Sequence, residues 1–140
     1  MDMANFATES GVRLRFQVTD AVLVPTDVVN ASIDDAHAEV MRVLDPEVET
    51  DPAPAGLVTG ETLLAGAYLY RTLASKDAFQ QRNVTIGGQR IEDGERFRAL
   101  TAIAALAEKQ AWFVLEPYVA ELPGRTVVDA TPSTPVLGEE

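Results

Sequence analysis

The stretch GETLLAGAYLYRTLASKDAF, Gly60 to Phe79, constrains the fold more than any other part of the chain. Wound as an α-helix, it places Leu63, Leu64, Ala67, Tyr68, Leu69, Tyr70 and Leu73 around nearly the whole circumference. A helix apolar on every side has to be covered on more than one side. The pattern predicts a helix over 58–78, with Gly60 and Gly66 lowering its propensity while permitting close approach of another helix. Only two further long helices are legible, too few to cover it. Part of its surface is therefore expected to meet another subunit.

The second long helix is predicted over 26–44. Pro25 stops what precedes it, Thr26 is a candidate N-cap, and Asp27 suits the first turn. Val29, Ile33, Ala36, Val40 and Val43 then recur at steps of three and four, with Asp34, Asp35 and Glu39 on the other face. The run DPEVETDPAPAG, with three prolines and four acids, ends it as a loop. The third helix is predicted over 95–115, capped by Asp93 and closed by Pro117. Ile33, Val40, Leu64, Tyr68, Leu100 and Ala104 are the expected core. Before Pro25, a short helical pattern from Thr8 has Val12, Leu14, Phe16 and Val18 at a spacing nearer alternation than helix.

Between the helices predicted over 58–78 and 95–115 lie two short β-friendly runs, Val84-Thr85-Ile86 and Gln89-Arg90-Ile91, hinged on Gly87-Gly88. The glycine pair suits a hairpin turn that needs positive φ. A lone two-stranded hairpin is marginal in water, so this one, over 84–91, is expected to be held by another chain. From Pro117 onward four prolines deny a helical period. Residues 117–140 are expected to be an extended tail, with Thr126-Val127-Val128 suited to adding a strand to a partner. The predicted fold class is mainly α: a small bundle of three principal helices (residues 1–116) with an inserted β-hairpin, followed by the extended C-terminal tail.

Charge is distributed unevenly. Of a net −11, the span from Asp20 to Glu61 contributes ten acids against one base, Arg42, while from Thr62 on ten acids face eight bases. Such a field opposes wrapping on a phosphate backbone, which needs clustered Lys and Arg. Asp27, Asp34, Asp35 and Glu39 form either a solvated face or a surface that repels nucleic acid passing nearby. Arg82, Arg90, Arg96 and Arg98 gather around the expected hairpin, as ordinary surface or as a basic patch able to dock on the acidic half of another copy.

Catalytic chemistry finds no foothold. With no cysteine in the chain, neither a disulfide framework nor a thiolate metal site is possible. The single histidine, His37, could be oriented by Asp34 as a base, but one histidine does not build a usual zinc site and no serine lies in an elbow motif. TIGGQR lacks the Lys-Ser/Thr of a phosphate loop. No enzyme activity, metal or cofactor is expected. No apolar run reaches the roughly 18 residues of a membrane helix, nor is there a signal-peptide apolar region. A soluble, intracellular protein that touches no membrane is expected.

The order of these segments, FAT…VRLRF, PTDVVNASIDDAHAEVMRVL, an acidic proline loop, LLAGAYLYRTLAS and GERFRALTAIAALAEKQAW, resembles the small head-tail connector proteins of tailed bacteriophages, also called adaptor or head-completion proteins. The resemblance spans residues 6 to 115. It implies a helical bundle assembling as a homo-oligomeric ring, commonly of about a dozen copies, below the portal protein. Such a ring extends the DNA channel and presents a surface to a tail or stopper protein. It further implies a virion location at the head-tail interface, reached from the host cytoplasm. Under that reading the acidic residues would line a lumen through which DNA slides without specific binding. Hairpin residues Val84 to Arg90 would pair with strands of an adjacent protein. The runner-up is a small helical regulatory or antitoxin-like protein that engages one partner through its tail.

Overall fold

The computed structural model describes the backbone of residues 5–81 and 87–120, and the side chains of 5–76 and 94–120. The element order is α1 (Glu9–Phe16), α2 (Thr26–Val43), α3 (Ala55–Gln81), α4 (Gly87–Leu115) and a short 3-10 turn, Glu116–Tyr118. Among the described residues there is no strand, only an isolated antiparallel bridge between Leu44 and Val119. The mainly helical class holds, but the expected insertion does not.

Gly87, Gly88, Gln89 and Arg90, expected to form the turn and second arm of the hairpin, open α4 instead. Val84, Thr85 and Ile86 lie outside the described residues. The reason lies in local hydrogen bonding. A helix that already exists downstream gains one bond for each residue it adds, whereas a solitary hairpin leaves both outer edges unpaired. Asp93 therefore does not cap the helix, which has begun six residues earlier at Gly87. Gly94 sits within α4 with open space where a β-carbon would be.

Helix α3 occupies the centre. Every residue from Gly60 to Ala67 is buried, more than two full turns without a solvent side. No second subunit is needed to achieve this, contrary to the expectation from three helices alone. The difference is made by α1, a genuine helix whose Phe16 reaches Gly66, together with the C-terminal end of α4. A β-carbon at Gly66 would run into the Phe16 ring, and one at Gly60 into the Leu115 side chain. These glycines let α1 and the end of α4 lie directly on the α3 backbone. At Gly56 the Tyr118 ring makes the same close approach.

Local chemistry explains α1. Thr8 is its N-cap, with Oγ1 accepting from the Gly11 N–H at 3.0 Å, and Glu9 lies in its first turn. It ends where Gln17 takes a left-handed conformation, φ 59°, returning its N–H to the Arg13 and Leu14 carbonyls. Arg13 then binds the connection to α2, donating to the Val18 carbonyl at 3.1 Å and the Val24 carbonyl at 2.7 Å. Thr26 is not the cap of α2. Pro25 holds that position, without a side-chain cap bond, and the Thr26 hydroxyl donates to Glu9 Oε2 at 2.8 Å.

Of the expected core, Ile33, Val40, Leu64 and Ala104 are buried, while Tyr68 and Leu100 are half-buried. The first residues assigned to the tail turn back onto the bundle: Asp45 N–H donates to the Tyr118 carbonyl at 2.9 Å and Ala120 N–H to the Val43 carbonyl at 2.8 Å. Residues 121–140, Thr126-Val127-Val128 among them, lie outside the described residues.

Because Gly94 is inside a helix and free of steric neighbours, Gly94→Ala should stabilise the protein by about 0.5–1 kcal/mol. Chemical denaturation followed by circular dichroism measures this. No gain in midpoint would place Gly94 outside the helix.

Candidate functional site

The least expected group in the molecule is Glu61. It sits on α3 among apolar neighbours and is fully buried. Its Oε2 accepts from the backbone N–H groups of Phe6 and Ala7, each at 2.9 Å. Its Oε1 lies 2.8 Å from His37 Nδ1, so Nδ1 carries the proton of that bond, because a carboxylate only accepts. Three donors around one buried carboxylate compensate for the hydration it has lost. The N-terminal segment is thereby tied to two helices at once.

This junction resembles the base-and-orienting-acid half of a hydrolase triad, but its geometry is that of a staple. The Phe6 ring stands edge-on to the imidazole, centroids 4.9 Å apart and planes at 75°. Asp34 does not orient His37. Its Oδ1 accepts from Asn5 Nδ2 at 2.8 Å, adding another tie to the same N-terminal segment. Among the described residues no group of three or more His, Asp or Glu side chains could hold a metal ion. Glu61 has one sequence signal, a lone acid inside an otherwise apolar helical face, and that signal does not name its partners.

A second arrangement lies on the outer side of α2. Asp27, Asp34 and Asp35 are exposed there, with Glu39 half-buried beside them. Glu39 bonds to Arg42, one turn on. The loop beyond α2 carries Glu47, Glu49 and Asp51, also exposed. One arginine among so many acids leaves this side strongly negative. Of the expected acidic-face residues, all four are therefore brought onto one helix.

Of the four arginines expected to gather, Arg96 and Arg98 have described side chains, and both lie on α4. Arg98 lies on α4 and pairs with Glu95 at 3.4 Å, both well exposed, and Arg71 on α3 pairs with Glu108 on α4. Arg96 and Lys76 border an open groove of about 520 Å³ whose apolar wall includes Val24, Leu73 and Leu100. The Arg82 and Arg90 side chains lie outside those described. Of the four arginines, Arg96 lines this groove between α3, α4 and the α1–α2 connection.

The half-buried Tyr68 lies within the field of the acidic side. Burial first, then the charges of Glu39 and Glu108, push its phenol up to about 12. Burial likewise raises Tyr70.

No family model, curated protein or solved structure matches the chain. Among the described residues no helix is long and apolar enough to cross a membrane.

Two measurements probe this region. Glu61→Ala strands His37 and two backbone donors, and should cost about 3–5 kcal/mol, with loss of hydrogen-exchange protection at the Phe6 and Ala7 amides. Protection that persists would show the N-terminal segment held by other contacts. For Tyr68 the neutral phenol is the form favoured by folding. Its contribution should be complete below pH 10, the ordinary value, and decline as pH rises through about 12. Absorbance at alkaline pH, compared with Tyr68→Phe, follows this ionisation.

Proposed function

We propose that this chain is a structural assembly protein of the phage head-tail connector type, with the acidic side of α2 as its working surface. One observation carries the reading: Asp27, Asp34 and Asp35 are all exposed on a single helix, and the loop that follows it exposes Glu47, Glu49 and Asp51. Such a surface repels a phosphate backbone and attracts a basic one. The order of helices and loop that resembles the connector proteins supports the same reading. Neither the hairpin nor an uncovered face of α3 contributes to it.

A ring requires a head-to-tail contact between unlike surfaces. The groove lined by Lys76 and Arg96 lies on different elements from the α2 face. Seating the acidic face of one copy against this groove of the next, beside Lys76, joins copies in that manner. The remaining acids would then face the channel, where DNA passes without binding.

Asp34→Lys with Asp35→Lys should leave helical content unchanged, because both sites are exposed, yet abolish co-assembly with the portal protein of the same phage. Adding Lys76→Glu should restore it in part. Normal assembly and DNA retention by the doubly reversed α2 variant would leave the acids as a solvated face only. Tight, salt-sensitive binding of DNA by the unaltered protein would overturn the reading from the other side.

A further inference from the structure

Helix α4 buries Ala104, Ala107, Ala111 and Leu115 against the bundle. Its opposite side carries an apolar stripe in solvent. Ile103 is 41% exposed, Leu106 57% and Phe113 77%, and Ala99 and Ala102 are exposed beside them. At 3.6 residues per turn, Ala99, Leu106 and Phe113 fall within about 20° of one line, with Ala102 and Ile103 on its two flanks. The solvent side of a bundle helix is ordinarily polar, and contiguous exposed apolar surface marks a contact.

We propose that this stripe docks a second copy of the same chain, α4 against α4, antiparallel about a two-fold axis passing beside Leu106. The residue pattern is self-complementary in that arrangement and in no parallel one. Phe113 lies seven residues after Leu106 and Ala99 seven before it. Reversing one helix therefore lays the Phe113 ring of each copy over the small Ala99 of the other. Ile103 of each copy then meets the aliphatic stem of Gln110. Arg98 and Glu116 share one edge of the stripe, at nearly equal distances on either side of Leu106. Antiparallel docking sets each Glu116 beside the other copy's Arg98, twice over. Parallel docking would stack Phe113 on Phe113 and leave the Arg98 and Glu116 edges of the two copies on opposite sides of the contact, unpaired.

An isologous contact of this kind needs one patch that complements itself. Alanine at 99 and 102 allows the two helices to approach to about 8 Å, the close end of helix packing. The apolar centre supplies the affinity, while the exposed Arg98–Glu116 pairs add little energy and select the orientation. The contact does not rest on the connector reading. A ring joins unlike surfaces, whereas this one closes on itself as a pair.

The chain contains no cysteine, so single thiols test the geometry in the full-length protein. Leu106→Cys, placed next to the axis, should form a disulfide-linked dimer under oxidised glutathione, because facing Cα atoms there come within disulfide range. Phe113→Cys should not link to itself, since its two copies stand about 21 Å apart along the helices. Mixed with Ala99→Cys protein, it should give the heterodimer. In sedimentation equilibrium the unaltered protein should be a concentration-dependent dimer, and Leu106→Arg should weaken it at least about tenfold with an unchanged helical spectrum. Arg98→Glu or Glu116→Arg alone should weaken the dimer, and the two together should restore it. A chain that stays monomeric into the millimolar range would overturn the proposal. So would self-linking of the Phe113→Cys protein where the Leu106→Cys protein stays unlinked. Failure of the pair leaves portal assembly, the test of the connector reading, untouched.

Discussion

Helix α3 has no solvent side between Gly60 and Ala67, and the rest of the molecule is arranged around that fact. A helix can be enclosed only if its neighbours come close on several sides. Here three glycines open those approaches: Gly66 to Phe16 of α1, Gly60 to Leu115 of α4, and Gly56 to Tyr118 of the turn that follows. Helix α2 closes a further side with Val29, Ile33, Ala36 and Val40. Each glycine sacrifices helix propensity, and the loss is offset by apolar surface removed from water.

Enclosure leaves Glu61 inside. A buried carboxylate is costly unless its lost hydration is replaced, and the replacements come from distant parts of the chain. Phe6 and Ala7 lend backbone donors and His37 lends an imidazole N–H. The polar group thus fixes the register of the N-terminal segment against α2 and α3, a task that non-directional apolar contacts perform poorly. The acidic outer side of α2 and the apolar outer side of α4 are left to solvent. Both belong to helices whose inner faces pack on α3.

The long periodic segments were legible because their signal is local. Helix α2 runs over 26–43 against an expected 26–44, since steps of three and four fix one buried face. The acidic face was legible for the same reason, being the complement of that periodicity. Helix α1 was weakly legible, because Val12, Leu14, Phe16 and Val18 are spaced like a strand. Only Val12 of these is fully buried, and Leu14 points outward at 72% exposure. The stretch Gly87–Arg90 misled outright. Its β-friendly composition is a weak preference, and continuation of α4 outweighs it.

The amino-acid sequence by itself determined the helical class, the placement of the three long helices and the gathering of acids on α2, because each follows from residues within a few positions of one another. Whether α3 was covered from within or by another chain was a tertiary decision. It depended on which ring or side chain entered at Gly56, Gly60 and Gly66, and those partners are 50 or more residues away in the chain. The role of Glu61 was decided in the same way, since its donors lie 24 to 55 positions distant. Short-range periodicity carries no record of such pairings; they exist only once the helices have packed.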